Sequence, residues 1–414
     1  MFASSTRLGL GITVGPVKPG HIKTILSGPL PIFINYMPMY GDITSSALWR
    51  MRAALKHRVR EIAFSGSSAN FDKFFKETKY AFPELESLVL EFDFYDKPKI
   101  PISFLGPDPS NSHLRRLKLD HASLSLISGF LLSATALTDL SLKIDTAFSP
   151  SQETSLLACL QGMPCLHSLS LTILSDFPLQ PSTPKDIVLL SKLTFFYYGG
   201  YNLLLDALVA GLSAPSLRDV DINFFGVFQP SIGHLPRFIS EIREYYYAVY
   251  VGFNVWGFRL SLLTRSEYLN HSNSRSRFEL QVLNHESLVR ISGALSTKLT
   301  TVEELHFTID REAVIYGTNF GGDYILWREF YQSFPYVKAL RTKGAKNTQW
   351  IAQFFSQDHG EPVDLTLLPA LEEIDLGKES LIHRNKRKSR LETFSQFVSA
   401  RQEAGHPVKV FYSA

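Results

Sequence analysis

Leu114-Arg115-Arg116-Leu117-Lys118-Leu119 is the stretch whose form, apolar-x-x-apolar-x-apolar, returns along almost the whole chain. It stands at Val59-x-x-Ile62-x-Phe64, Leu85-x-x-Leu88-x-Leu90, Leu137-x-x-Leu140-x-Leu142, Leu166-x-x-Leu169-x-Leu171, Leu193-x-x-Phe196-x-Tyr198 and Leu217-x-x-Val220-x-Ile222. The middle apolar positions, 62, 88, 117, 140, 169, 196 and 220, lie 23 to 29 residues apart. After Val302-x-x-Leu305-x-Phe307 the form continues at Val337-x-x-Leu340, Leu371-x-x-Ile374-x-Leu376 and Val408 to Phe411, now 34 to 35 residues apart. Alternate side chains of a strand point to opposite faces, so Leu117 and Leu119 turn inward while Arg116, Lys118 and Asp120 turn outward.

A period of about 20–29 residues is that of leucine-rich repeats, in which one repeat cannot cover its own apolar row and stacked neighbours must. The spacing therefore predicts an α/β fold: an irregular leucine-rich-repeat solenoid, a right-handed β-α superhelix with a parallel concave sheet and outer helices. Four blocks are expected: 1–56 as amino-terminal repeats and cap, 57–226 as regular repeats, 227–300 as irregular repeats with a β-hairpin, and 301–414 as longer carboxy-terminal repeats and cap. The hairpin is placed among the alternating runs Tyr247 to Phe253, Gly257 to Leu263 and Phe278 to Leu283. Helices are expected over Ala69–Tyr80, Ser123–Ala134, Pro150–Leu160, Tyr201–Ser213, Leu235–Tyr246, Glu286–Lys298, Tyr324–Phe334, Thr348–Gln357 and Arg390–Glu403. The asparagine that often follows a repeat strand is replaced by Asp93, Ala122, Asp145, Leu174, Phe225 and Asp310, which argues for an irregular stack without an asparagine ladder.

Composition excludes several classes of function. With 45% apolar residues the 414-residue chain has ample material for a core, and 42 basic against 39 acidic residues make no global field that would steer it to nucleic acid or a membrane. Leu8 to Val14 is interrupted by glycines and does not read as a signal peptide, and Thr154 to Ser175 reads as a helix plus a strand rather than a membrane span. Two cysteines, Cys159 and Cys165, are too few to staple an extracellular chain of this length and read as buried structural thiols, so a cytoplasmic or nuclear location is expected. The basic run His383 to Arg390 reads as a solvated loop, because Glu379 and Glu392 flank it and no aromatics interleave to stack bases; a nuclear-import signal or a phosphate contact is the alternative reading.

No motif for chemistry is complete. His285-Glu-Ser-Leu-Val289 has valine where a zinc-protease helix needs its second histidine, and Gly377-Lys-Glu-Ser380 lacks the upstream glycine of a phosphate loop. Gly9-x-Gly11 and Gly66-Ser-Ser fit neither a dinucleotide fingerprint nor a nucleophile elbow. The reading is a non-enzyme with no catalytic residue, metal or cofactor; a hydrolase site assembled across repeats is the remaining alternative. Binding is expected at the outward strand positions Glu91, Arg116, Lys118, Asp139, Lys143, Tyr197, Asp219, Asp221 and His306, a row of mixed charge with aromatic support that suits a protein partner.

Ser27-Gly-Pro-Leu-Pro-Ile-Phe-Ile-Asn-Tyr36, Phe64-Ser-Gly-Ser-Ser-Ala-Asn-Phe71, Phe82-Pro-Glu-Leu-Glu-Ser-Leu-Val-Leu90, Leu368-Pro-Ala-Leu-Glu-Glu-Ile-Asp-Leu376 and Gly405-His-Pro-Val-Lys-Val-Phe411 carry a likeness spanning nearly the whole chain. They resemble the leucine-rich-repeat region of F-box proteins from mushroom-forming basidiomycete fungi. In that family the F-box docks onto the adaptor of a ubiquitin ligase and the repeats choose the substrate, which implies a substrate-recognition role here. The F-box is expected to be missing, since the first repeat strand follows Met1 almost at once, so adaptor docking carries over to no residue. A free-standing scaffold unrelated to ubiquitin is the alternative implied by that absence.

Overall fold

The computed structural model describes residues 10–14, 31–36, 56–69, 71–72, 82–92, 100, 113–121, 123–145, 150–174, 187–225, 233–242, 244–254, 257–269, 278–282, 284–309, 324–343, 366–376 and 395–411. The helix expected over 348–357, most of that over 69–80, the start of that over 390–403 and the basic run 383–390 lie outside these residues. The chain divides into two compact units, Met1–Gly200 with Ala207–Leu217, and Tyr201–Asp206 with Arg218–Ala414.

In the first unit the repeated form is a strand every time. The strands are β1 (Leu10–Val14), β2 (Ile32–Tyr36), β3 (Val59–Gly66), β4 (Ser87–Phe92), β5 (Arg116–Asp120), β6 (Asp139–Ile144), β7 (Ser168–Ile173), β8 (Val188–Leu189), β9 (Phe195–Gly200) and β10 (Leu212–Ser213). All except β8 and β10 pair in parallel with the next copy, and the register places like positions side by side. Ile62, Leu88, Leu117, Leu140, Leu169 and Phe196 form one buried row, and Phe64, Leu90, Leu119, Leu142, Leu171 and Tyr198 the next. Leu117 is 2% exposed and Leu119 fully buried, as the alternation requires.

Each parallel connection must return the chain to the start of the next strand, and those after β5, β6 and β9 do so through helices. Helix α1 (Leu124–Ser133) buries Leu124, Ile127, Phe130 and Leu131, one stripe at helical spacing. Helix α2 (Pro150–Gln161) packs beside it, with the Cys159 thiol 3.7 Å from the Ser128 carbonyl, and stops before Gly162 and Pro164. Cys165, expected to be buried, is instead half-buried, because it lies in the turn after α2 rather than on its inner stripe. Helix α3 (Asn202–Ala210) ends earlier than its apolar run: Leu212 and Ser213 leave the helix as β10 and pair with β8, which satisfies their backbone groups as a helix end could not.

The second unit breaks the parallel order. Its strands are β11 (Asp219–Phe224), β12 (Ala248–Asn254), β13 (Gly257–Leu263), β14 (Phe278–Val282), β15 (Glu304–Ile309), β16 (Ala339–Lys343), β17 (Glu373–Asp375) and β18 (Lys409–Phe411). Their order in the sheet is β11-β14-β13-β12-β15-β16-β17-β18. The chain leaves β11, passes over two strand positions to lay down β12, doubles back through β13, and only then sets β14 beside β11. Consequently β13 is antiparallel to both neighbours, whereas β12 and β14 keep the direction of the repeats. The expected hairpin is thus a three-strand meander. Its inner side still supplies an unbroken apolar row, Val220, Phe278, Leu262, Val249, Leu305, Leu340 and Ile374.

Helices again cover that row: α4 (Leu235–Ser240), α6 (His285–Ala294), α7 (Ser296–Leu299), α8 (Tyr324–Gln332) and α9 (395–403), whereas α5 (Arg265–Leu269) lies on the outward side, where its Tyr268 meets Glu304. The run predicted as one helix over Leu235–Tyr246 ends at Ser240, and Asp206 holds its start by accepting from the backbone N–H groups of His234 and Leu235 at 2.9 Å each. Glu286–Lys298, predicted as one helix, is interrupted at Leu295. Trp327 of α8 lies 5.9 Å from the Phe253 ring and 6.3 Å from Phe307, fixing helix to sheet. Arg401 of α9, 2% exposed, donates to the carbonyls of Pro369 and Leu371 at 3.0 Å and so satisfies the turn before β17.

Tyr198 puts a hydroxyl into a row of leucines, and Gly200 accommodates it: a Cβ at 200 would stand 2.7 Å from the Tyr198 oxygen and 2.7 Å from the Ile173 carbonyl. Gly200→Ala is therefore expected to lower the melting temperature, because the added methyl meets a backbone carbonyl and a fully buried ring rather than a flexible side-chain end. Leu117→Ala is expected to cost about 2–5 kcal/mol, against less than about 1 kcal/mol for Lys118→Ala. Thermal denaturation of the two variants measures the difference; equal shifts would contradict the assigned strand orientation.

Candidate binding surface

Opposite the leucine rows, the strands of the first unit carry a lateral network of charge. Arg116 donates to Glu61 at 2.6 Å, although Ser87 of β4 stands between them in the register; the long guanidinium side chain spans that strand and Ser87 is left 6% exposed. Lys118 donates to Glu91 at 2.6 Å and lies 3.6 Å from Asp120. Burial alone would lower the Lys118 pKa, but the bonds to Glu91 and Asp120 outweigh it and raise it. Asp139 accepts from the Thr138 hydroxyl at 2.7 Å. These expected partner-facing residues are half-buried, held by one another on a rigid sheet.

At the carboxyl ends of β5 and β6, His121 pairs with Asp145 through Nδ1, and Lys143 Nζ lies 3.3 Å from its Nε2. His121 has φ of 61°, a left-handed conformation uncommon for a side chain with a Cβ. Carboxylate, imidazole and a third group in series is the order of a hydrolytic triad, but the imidazole nitrogen that would serve a hydroxyl or thiol faces an ammonium. Burial pushes the Cys159 thiol up to about 11, which keeps it protonated and unreactive. Among the described residues, no group of three or more His, Cys, Asp or Glu is placed to hold a metal ion, and no helix is long and apolar enough to cross a membrane.

The remaining expected site residues separate. Tyr197 lies beside Ser170 on the same outward face as Lys118, and is half-buried. Asp219 and Asp221 are half-buried on β11, with Asp221 directly beside Glu279 of β14. His306, expected to be exposed, is 6% exposed. The Tyr250 ring stacks on it at 4.2 Å and 14°, and Tyr268 approaches from α5 at 5.6 Å. β13 runs antiparallel to its neighbours and ends beside the start of β12, so that the helix after it, α5, brings Tyr268 against Glu304 and His306 on the outward side.

That cover creates a polar cluster which the sequence reading did not name. Glu304, 6% exposed, accepts from Tyr247 at 3.0 Å, Tyr268 at 2.6 Å, His306 at 3.1 Å and Arg341 at 2.7 Å. Burial by itself would raise the Glu304 pKa, yet the bonds from His306, Arg341 and Tyr268 outweigh it and hold the carboxyl far below the usual range. Conversely, burial first and then the Glu304 carboxylate push the phenols of Tyr247 and Tyr268 up. Glu267 accepts from the Thr264 backbone N–H and hydroxyl, each at 2.9 Å, and fixes the start of α5. Thr264-x-x-Glu267 is a capping-box pattern, the one local signal that a short helix begins there.

No protein-family model matches the chain, and no curated protein matches it. Among solved structures, the chain is similar to TLR13 in its complex with ssRNA13, with a TM-score of 0.33 and 13% identity over 92% of this chain and 45% of that one. It thus spans less than half the length of that protein. A second is the leucine-rich-repeat-containing protein LegL7 from Legionella pneumophila, with a TM-score of 0.28 and 11% identity over 94% of this chain and 97% of that one. The repeat fold itself rests on the strand registers of this chain.

A carboxyl whose folded pKa is depressed contributes stability that is fully present above its unfolded pKa, about 4.3, and is lost as pH falls toward the folded value. Glu304→Gln is expected to cost about 3 kcal/mol near neutral pH, because it leaves Arg341 without its main counter-charge. Urea unfolding should show a constant gap between wild type and variant from pH 7 to 5 that narrows between pH 4 and 3. A gap independent of pH would contradict an ionised Glu304.

Proposed function

We propose that this chain is a non-catalytic recognition module that binds another protein on the outward faces of its strands. The observation that supports this most directly is the pre-ordered network of Arg116, Lys118, Glu61 and Glu91 on a sheet whose other face is closed by its core. Side chains held before contact lose less conformational entropy on binding, which favours affinity over a loose surface of the same composition. Glu91, Arg116, Lys118, Asp139, Lys143, Tyr197, Asp219 and Asp221 are the contact positions in this proposal; His306 acts through Tyr250, which stacks on it.

The resemblance to F-box receptors supports a finer reading, the selection of a substrate for ubiquitination in the cytoplasm or nucleus of a fungus. A free-standing scaffold is the second reading, and the two differ in whether a ligase adaptor joins the complex. The four-block division at 56, 226 and 300 accompanies this proposal, with the meander interrupting the contact face. Affinity purification from native extract with the intact chain and with Lys118→Glu/Lys143→Glu tests the first unit's face. The charge reversal is expected to lose the main partner while retaining the wild-type melting temperature to within a few degrees; recovery of the same partners by both would overturn the assignment.

A further inference from the structure

We propose that the outward face of β12, β13, β15 and β16 binds an extended acidic segment of the partner protein, with Arg259 and Arg265 as its charge contacts and Tyr250 as its stacking platform. This rests on the protein-recognition reading and names the chemistry of the segment recognised. The argument is one of depth. Arg259 is half exposed at 50% of its side chain while its partner Glu279 is at 14%. Arg341 is at 27% against 8% for both Glu304 and Asp375. In these pairs the guanidinium group is the more exposed member and the carboxylate the more buried one. In the first unit the order is level or inverted, with Arg116 at 35% against Glu61 at 34% and Lys118 at 30% against Glu91 at 42%. A surface whose outer layer is cationic and whose compensating anions are buried presents a positive potential to a partner even where the pairs are neutral in sum.

Shape agrees with charge. Gly252 stands between Arg259 and Thr308 in the register and offers no side chain, so the sheet dips there beside the half-buried Tyr250 ring. Tyr250 is held by stacking on His306, its register neighbour on β15, and Tyr247 carries the Arg265 guanidinium over its ring at 5.4 Å. Glu304 fixes the hydroxyls of Tyr247 and Tyr268 and the guanidinium of Arg341 together. Tyrosine and arginine, pre-ordered and ringed by a polar rim, are the residue types that dominate interface energetics.

The test is selection of random twelve-residue peptides displayed on phage against the intact chain, followed by anisotropy titration of the most enriched peptide. Enrichment of Asp and Glu is expected, with affinity falling at least tenfold for Arg259→Gln/Arg265→Gln, weakening with added salt, and unchanged for Arg290→Gln on α6. Melting temperatures of all variants are measured alongside. Selected peptides without acidic enrichment, acidic peptides that bind the double variant as tightly as wild type, or a twelve-nucleotide single-stranded RNA that binds more tightly than any selected peptide would each overturn the proposal. If no peptide is selected while the Lys118 and Lys143 reversal still removes a partner, this inference falls and the recognition reading stands; if neither experiment shows binding, both fall.

Discussion

A five-residue strand can bury one row of alternate side chains and no more, and everything else in this protein follows from that limit. The Leu117 and Leu119 rows are shielded only because Leu88 and Leu90 lie on one side and Leu140 and Leu142 on the other. No repeat owns its core; each borrows it from its neighbours. The parallel register must therefore be kept, and departures are met locally. Tyr198 enters where leucine stands in other copies, and the missing side chain of Gly200 leaves room for its hydroxyl.

The same register governs the opposite face. Because equivalent positions line up from strand to strand, Arg116 reaches Glu61 two strands away and Lys118 reaches Glu91 on the next, which converts isolated surface charges into a laterally braced layer. Each exposed pair contributes little to stability, since solvent screens it. The consequence is positional: the side chains that a partner meets are held before it arrives.

Where the meander reverses one strand, a different physics takes over. The connection after β13 emerges on the outward side, α5 closes over β12 and β15, and Glu304 becomes a buried carboxylate. A buried charge is tolerable only with donors around it. Tyr247, Tyr268, His306 and Arg341 come from four separate places in the chain to provide them. The result is a tyrosine and arginine patch in which the paired acids are more buried than the bases, unlike the half-buried mixture on β3 to β6.

Local pattern alone determined the repeat. The spacing of Leu85 to Ile222 carried the strands, their inward and outward faces, most helices and the interruption between 220 and 305, because alternation and turn residues act within a few positions of themselves. It did not determine the order of β12, β13 and β14, the early end of α4 under the Asp206 carboxylate, or the burial of His306. Those depend on which distant residues meet. His306 occupies an outward strand position, and nothing in its neighbours reveals that Tyr250 and Tyr268 will cover it; the strand pairing decides that, since only in the folded sheet do β12 and the helix after β13 come to lie against β15.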